Sequence, residues 1–157
     1  RIWATTRMPL RHPHQLVAPG GIGGMGWCPP AVTAAKIVCP EKRVTGIIGD
    51  GGFMMTMDAV ATAAERGLDA VYIVANNAGL GMVRDNLGNQ AIGVDFADHD
   101  YAMIAQGMGA RGLTVTDKGE MDDALREAHK MGGPVVIDVK VDPAASHRDC
   151  SDYGALD

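Results

Sequence analysis

The chain has 157 residues, enough for one domain, and its 46% hydrophobic and 21% charged residues exclude a disordered or fibrous protein. Its 14 Lys and Arg against 19 Asp and Glu leave a net charge of −5, which argues against nucleic acid as the main partner. No apolar run approaches the roughly 20 residues that cross a bilayer. Three scattered cysteines form neither a disulfide framework nor a zinc site. We therefore expect a soluble, cytoplasmic protein without a membrane partner.

Strand and helix patterns alternate along the chain. A cluster of glycines at 20–26 comes first and is followed by a predicted helix at 31–38. Short, β-branched and nearly continuous apolar runs predict buried strands at 44–48, 70–75 and 134–139, and further helices are predicted at 54–66, 101–107 and 121–130. This alternation predicts an α/β fold with a parallel sheet flanked by helices. Residues 144–157 form a polar tail that either lies along a neighbouring surface or is loosely ordered.

An acidic residue stands at the end of the first predicted strand. Asp50 lies between Gly49 and Gly51, directly before a predicted helix. Ligands gather at the carboxyl ends of parallel strands, and glycines let main-chain N–H groups approach a phosphate closely. Because a carboxylate repels a bare phosphate, Asp50 in this place favours a divalent cation that bridges to phosphates. The alternative is a tight turn with a solvated Asp.

The next strand ends in a second group of candidate ligands, Asn76-Asn77-Ala78-Gly79. Amide oxygens and main-chain carbonyls are hard, neutral ligands that suit Mg²⁺ or Ca²⁺. If the two strands are adjacent and parallel, Asp50 and an Asn of this segment can share one ion.

These segments together resemble the cofactor motif of thiamine-diphosphate-dependent enzymes, and the surrounding sequence is similar to their acetohydroxyacid synthase and 2-oxoacid decarboxylase branch. The similar stretches are the glycine cluster with Pro30, residues 49–56, Asn76-Asn77, Gly81-Met82-Val83 and the strand at 133–139. The resemblance implies a partial C-terminal, diphosphate-binding (PP-type) domain over residues 1–143 that lacks its first strand. The tail at 144–157 would follow it.

The resemblance also implies a cofactor and a metal ion. Asp50, the side chain of Asn77 and the main-chain carbonyl of Gly79 are expected to bind Mg²⁺ or Ca²⁺. Gly51 and Gly52 are expected to offer main-chain N–H groups to the diphosphate of thiamine diphosphate.

Other positions are expected to contact the rest of the cofactor. Met25 matches a bulky apolar residue that wedges the cofactor into a bent shape, with simple core packing as the alternative. Gly23, Gly49 and Met82 complete the expected cofactor contacts. Met82 and Val83 match positions on the substrate side, although plain core residues would look the same.

One position departs from the family pattern. Acetohydroxyacid synthases have a Trp where this chain has Asn86, which disfavours acetolactate synthesis and favours a more polar substrate. Arg84, Asn86 and Asn89 are candidates to engage such a group, and a solvated loop is the alternative. His129 lies near the end of the last predicted helix, where the helix dipole stabilises a partly charged ring. No side chain is assigned a catalytic role.

Enzymes of this family need a Glu from a separate pyrimidine-binding domain. We expect that domain to come from a second chain or from a region ahead of Arg1, in a homo- or hetero-oligomer, and the 157 residues to be inactive alone. The expected activity is that of a lyase, decarboxylase or carboligating transferase, which makes or breaks C–C bonds next to the carbonyl of a 2-oxoacid or 2-hydroxyacyl substrate. The alternative is a non-catalytic module that binds a diphosphate or nucleotide. Retention of Asp50, Asn77 and Met25 together favours the enzyme.

Overall fold

Four strands form one parallel sheet in residues 2–149, the part of the chain that the structure, a computed structural model, describes. The strands are β1 (Val44–Gly49), β2 (Ala70–Asn76), β3 (Arg111–Val115) and β4 (Val135–Lys140). They lie in the order β1-β2-β4-β3, and every neighbouring pair is parallel. The predicted α/β fold with a parallel sheet is therefore confirmed.

Helices flank both faces of this sheet, and the described part of the chain has seven in all. They are α1 (Ile2–Arg7), α2 (Cys28–Val38), α3 (Asp50–Met54), α4 (Asp58–Glu65), α5 (Gly81–Leu87), α6 (Tyr101–Gly107) and α7 (Met121–Met131). Residues of α2, α3, α4 and α6 pack in one core with the sheet, and residues of α7 pack in a second core on the opposite face. Among the described residues, no helix has the length and apolar character needed to cross a membrane.

The larger core contains the aromatic side chains. Phe53, Tyr72 and Tyr101 are fully buried there, and the rings of Phe53 and Tyr101 meet edge to face with centroids 5.6 Å apart. On the other face, Val71, Val135 and Ile137 pack against α7. Strands β2 and β4 are thus buried on both sides, as continuous apolar runs predict.

Strand β1 is an edge of the sheet, and one of its faces is uncovered. Thr45 and Ile47 are exposed on that face, with Ile47 at 45%. The exposed Ile47 side chain leaves apolar surface at this edge of the sheet.

The structure differs from the sequence prediction in two elements near the site. The helix predicted at 54–66 is instead two short helices, α3 and α4, with the break at 55–57. At this break Thr56 Oγ1 donates a hydrogen bond to the main-chain oxygen of Gly26 at 2.6 Å. The glycine cluster is thereby held against the break between the helices. Helix α5, which sequence periodicity did not predict, follows β2 directly.

Candidate functional site

The ends of β1 and β2 meet at one edge of the sheet. Gly49 pairs in parallel register with Ala75, so the residues that follow each strand are neighbours. Asp50 is only 2% exposed; its Oδ1 accepts a hydrogen bond from Gly51 N at 2.8 Å, and its Oδ2 accepts one from Gly79 N at 3.0 Å. The structure thus brings Asp50 and Gly79 together across two strands. The alternative of a solvated Asp in a tight turn is wrong.

The Asp50 carboxylate is buried among neutral groups. Burial raises its pKa above the ordinary value of 3.8, and the main-chain N–H groups around it oppose that rise only in part. No ion pair in the described part of the chain involves this carboxylate. A cation would therefore find a negative charge that the protein itself leaves without a positive partner.

Two neutral oxygens lie in the segment that follows β2. None of the hydrogen bonds formed by residues 2–149 involves the Asn77 side chain or ends on the main-chain oxygen of Gly79. The Asn77 amide lies above the start of α5, where a Cβ on Gly81 would come within 2.6 Å of Asn77 Nδ2. One carboxylate, one free amide and one free carbonyl form a donor set that fits a hard divalent cation. The described residues contain no group of three or more His, Cys, Asp or Glu side chains that could hold a metal elsewhere.

Asn76 has a different role from its neighbour. Its Nδ2 donates to Asp138 Oδ1 at 3.0 Å, to the main-chain oxygen of His99 at 3.1 Å and to Asp98 Oδ1 at 3.3 Å. Its Oδ1 accepts from Ala78 N at 3.2 Å, and Ala78 has the left-handed φ of +52° that non-glycine residues rarely adopt. Asn76 therefore fixes the strained turn that carries Asn77 and Gly79.

A buried polar network supports this turn from β4. Asp138 is fully buried; its Oδ2 accepts from Tyr101 N at 3.1 Å and pairs with Lys140 Nζ at 3.0 Å. Lys140 also pairs with Asp98 Oδ1 at 2.5 Å. Burial alone would lower the pKa of Lys140, but its bonds to Asp98 and Asp138 outweigh burial and raise it. The sequence patterns did not predict this network, although an Asp within a β-branched strand is a signal for a buried polar contact.

The glycine cluster brings Met25 to the same edge. Its methyl carbon lies 3.4 Å from the place that a Cβ on Gly51 would occupy, next to Leu80 and Phe96. Met25 is 52% exposed, so the alternative of simple core packing is wrong. Gly23 and Gly26 have φ of +63° and +80°, which lets the cluster turn sharply around this side chain.

Helix α5 contributes no buried residue. Met82 and Val83 are 45% and 38% exposed, which contradicts a plain core role. Asn86 lies four residues after Met82 and hence on the same helical face. Arg84 pairs with Asp95, its Nη2 at 2.5 Å from Asp95 Oδ1, so this guanidinium already has a structural partner.

Burial sets the protonation of two side chains on the flanking helices. It raises the pKa of the Cys28 thiol to about 11, so the thiol is protonated at neutral pH. It also lowers the pKa of His129, and the charges of Arg43 and Lys36 lower it further. These effects oppose the partly charged ring that the position of His129 near a helix end predicts.

Comparisons with known proteins agree with this geometry. The family model described as "Thiamine pyrophosphate enzyme, C-terminal TPP binding domain" matches residues 1–139. The chain is 32% identical over 152 residues to the mitochondrial acetolactate synthase catalytic subunit of Saccharomyces cerevisiae, an alignment that covers 90% of this chain and 21% of that protein. It is 31% identical over 150 residues to the large subunit of acetolactate synthase isozyme 1 of Escherichia coli K12, covering 90% and 26%.

A solved structure is also similar. The thiamine diphosphate-dependent 4-hydroxybenzoylformate decarboxylase of Rhodococcus jostii RHA1 superposes with a TM-score of 0.72 at 29% identity, over 76% of this chain and 24% of that one. The chain thus spans about a fifth to a quarter of the length of these relatives. Because the family model covers most of the sequence, the chain belongs to the thiamine-diphosphate-dependent enzymes, as a C-terminal cofactor-binding domain of the acetolactate synthase-like kind.

Proposed function

We propose that the edge formed by the ends of β1 and β2 holds the diphosphate of thiamine diphosphate through Mg²⁺ or Ca²⁺. Asp50, the Asn77 amide oxygen and the Gly79 carbonyl oxygen would be the protein ligands of the ion. The observation that carries this proposal is the buried Asp50 carboxylate, which lies against Gly79 and has no positive partner among the described residues. A buried charge without a partner costs free energy, and a bound cation would offset that cost.

Glycines and one methionine would position the rest of the cofactor. Gly49, exposed at the end of β1, and Gly52, at the buried start of α3, would offer main-chain N–H groups to a diphosphate, whereas the N–H of Gly51 also bonds to Asp50 Oδ1. Gly23, with its left-handed φ, would shape the glycine cluster. Met25, half exposed above Gly51, would support the cofactor rings in their bent shape.

The reaction we propose makes or breaks a C–C bond next to a carbonyl. Thiamine diphosphate, when bound, supplies the carbon nucleophile and electron sink for such chemistry. The protein would bind and orient a 2-oxoacid or a 2-hydroxyacyl substrate along the exposed face of Met82, Val83 and Asn86. The relatives named as acetolactate synthases and as a benzoylformate-type decarboxylase support this class, and the amide of Asn86 favours a polar substrate.

The chain would not act alone. We propose that residues 1–143 form the cofactor domain, that 144–157 form a tail, and that a pyrimidine-binding domain from another chain or region completes the site in a cytoplasmic oligomer. The chain covers only 21% and 26% of the length of the two acetolactate synthases, which supports the proposal. As a single domain it is expected to show no turnover.

The metal site is tested by calorimetric titration of thiamine diphosphate with Mg²⁺ into the complete protein. Asn77→Ala should weaken binding by about 100-fold, since it removes one of three protein ligands. It should leave the free energy of unfolding unchanged, because this side chain has no hydrogen bond in the described structure. Asp123→Ala, at an exposed acid of α7, is the matched control and should bind like the unsubstituted protein.

Turnover is tested by CO₂ release from pyruvate and from benzoylformate. Product formation with either acid supports the enzyme, whereas cofactor binding without turnover on a wider panel of 2-oxoacids favours the non-catalytic module. Equal cofactor affinity of the Asn77→Ala variant and the Asp123→Ala control would refute the metal site.

A further inference from the structure

The described part of the tail is fastened to helix α5 at one carboxylate. Asp85 Oδ2 accepts a hydrogen bond from Ser146 Oγ at 2.7 Å, and it lies 2.9 Å from His147 Nδ1 and 3.3 Å from His147 N. We call Asp85, Ser146 and His147 the tail clamp. Of the two predicted alternatives for the tail, its residues up to 149 therefore follow the first and lie along a neighbouring surface.

Hydrogen bonds within the clamp stabilise the negative charge of Asp85. The hydrogen bond from Ser146 lowers the pKa of Asp85 most, and the contacts with His147 lower it further against the opposing effect of desolvation. The carboxylate thus stays ionised well below neutral pH and holds the clamp closed.

Helix α5 depends on such contacts because it has no core of its own. None of its seven residues is buried. Besides the clamp, Arg84 also attaches this helix to the rest of the described structure: it pairs with Asp95 and donates from Nη1 to the main-chain oxygen of Pro143 at 3.1 Å. Pro143 immediately precedes the tail, so the same segment contacts α5 at two places.

The tail also reaches the face of α5 that we assign to the substrate. Arg148 Nη2 donates to the main-chain oxygen of Asp85 at 3.1 Å and approaches Asn86 Oδ1 at 3.4 Å. Asn86 shares its helical face with Met82, one turn earlier. We therefore expect a change at the clamp to alter the substrate side of α5. The turn that precedes α5 and carries Asn77 and Gly79 should not change.

We propose that Asp85 is a positioning residue, which fixes the substrate-side face of α5 by clamping the tail through Ser146 and His147. This inference rests on the proposed function, since it assigns the face of Met82 and Asn86 to the substrate. The inference adds that substrate affinity depends on tail residues far along the chain, since Ser146 lies 61 positions after Asp85.

The first test is limited trypsin digestion of the complete protein, with cleavage after Arg148 followed by mass spectrometry. Asp85→Ala should speed this cleavage by at least about fivefold, because a released tail samples cleavable conformations more often. Asp85→Asn, which keeps an acceptor oxygen but not the charge, should give an intermediate rate. Asp123→Asn on α7 is the matched control and should cleave at the original rate.

The second test separates substrate binding from cofactor binding. With the 2-oxoacid that gives the fastest CO₂ release, Asp85→Ala should raise KM by about fivefold or more and change kcat by less than about twofold, since it loosens a binding surface. The Kd for thiamine diphosphate with Mg²⁺ should change by less than about twofold, because Asp85 contacts none of the proposed metal ligands. The Asn variant should recover part of the KM.

The outcomes distinguish the two proposals. If the unsubstituted protein binds no thiamine diphosphate, the proposed function fails, and the positioning role fails with it. If the cofactor binds and turnover is seen, but Asp85→Ala leaves KM unchanged or leaves the cleavage rate unchanged, the positioning role alone is overturned.

Discussion

Removing the Lys140 ammonium group from the buried network that supports the site gives a prediction with a definite magnitude. Lys140→Met would leave the Asp138 carboxylate, which is fully buried, without the ammonium that now lies 3.0 Å away. Breaking a buried pair by deleting one partner costs about 3–5 kcal/mol. Since the Lys140 side chain is 28% exposed and water can replace part of its effect, we expect a loss near the lower end, about 3 kcal/mol. For a protein of this size that corresponds to a fall in Tm of about 6–12 °C.

Urea denaturation followed by far-ultraviolet circular dichroism measures this loss. Lys130→Met, at an exposed lysine of α7, is the control and should change the free energy of unfolding by less than about 0.5 kcal/mol. The double variant Asp138→Asn with Lys140→Met should be more stable than the sum of the two single losses predicts, because it removes the stranded charge. A loss below about 1 kcal/mol for Lys140→Met, or strict additivity in the double variant, would refute the reasoning.

Three further predictions concern packing, pH and catalysis. Gly112→Ala should destabilise by about 1–3 kcal/mol or more because the new methyl would overlap the main chain of Ala102, while Gly107→Ala, with open space around it, should be neutral or stabilising; equal urea midpoints would contradict this. His129 titrates below its ordinary pKa of 6.5 in the folded state, so the unfolded state binds its proton more readily and the free energy of unfolding should fall as the pH is lowered through 6.5. His129→Gln should flatten that decline in unfolding curves measured at a series of pH values, and an unchanged slope would count against it. Met25→Ala should lower kcat by about tenfold with little change in the Kd of thiamine diphosphate, as it removes an orienting contact; a parallel loss of both would show a binding role instead.

The sheet was predictable where the chain is buried on both faces. The continuous apolar runs that became β2 and β4 carry their own signal, because each side chain needs an apolar neighbour whichever face it points to. Strand β3 was not predicted, because only Val115 of its five residues is buried and it has no continuous apolar run. It also includes Gly112, which the close approach to Ala102 requires and which weakens the strand pattern.

The sequence indicates that the proposed ligands of the candidate site lie close together, but it does not predict the residues that support them. Asp50 and Asn77 follow the ends of predicted neighbouring strands, so the parallel sheet alone brings their segments together. Asp50 also supports the fold locally, because its carboxylate is buried and accepts two main-chain hydrogen bonds. The contacts of Asn76 with Asp138, 62 positions away, depend on tertiary packing that no local pattern encodes.

Helix α5, which we propose as the substrate side of the site, has no buried side chains, and this has an evolutionary consequence. Substitutions at Met82, Val83 or Asn86 remove no core contacts, so a lineage can exchange them one at a time without approaching the stability threshold at which most mutations are lost. Substitution of Asp50 should be tolerated less often, because it also leaves the main-chain donors of Gly51 and Gly79 unpaired. Among relatives of this chain, the residues proposed to contact the substrate should therefore change quickly, and those proposed to bind the cofactor should change slowly.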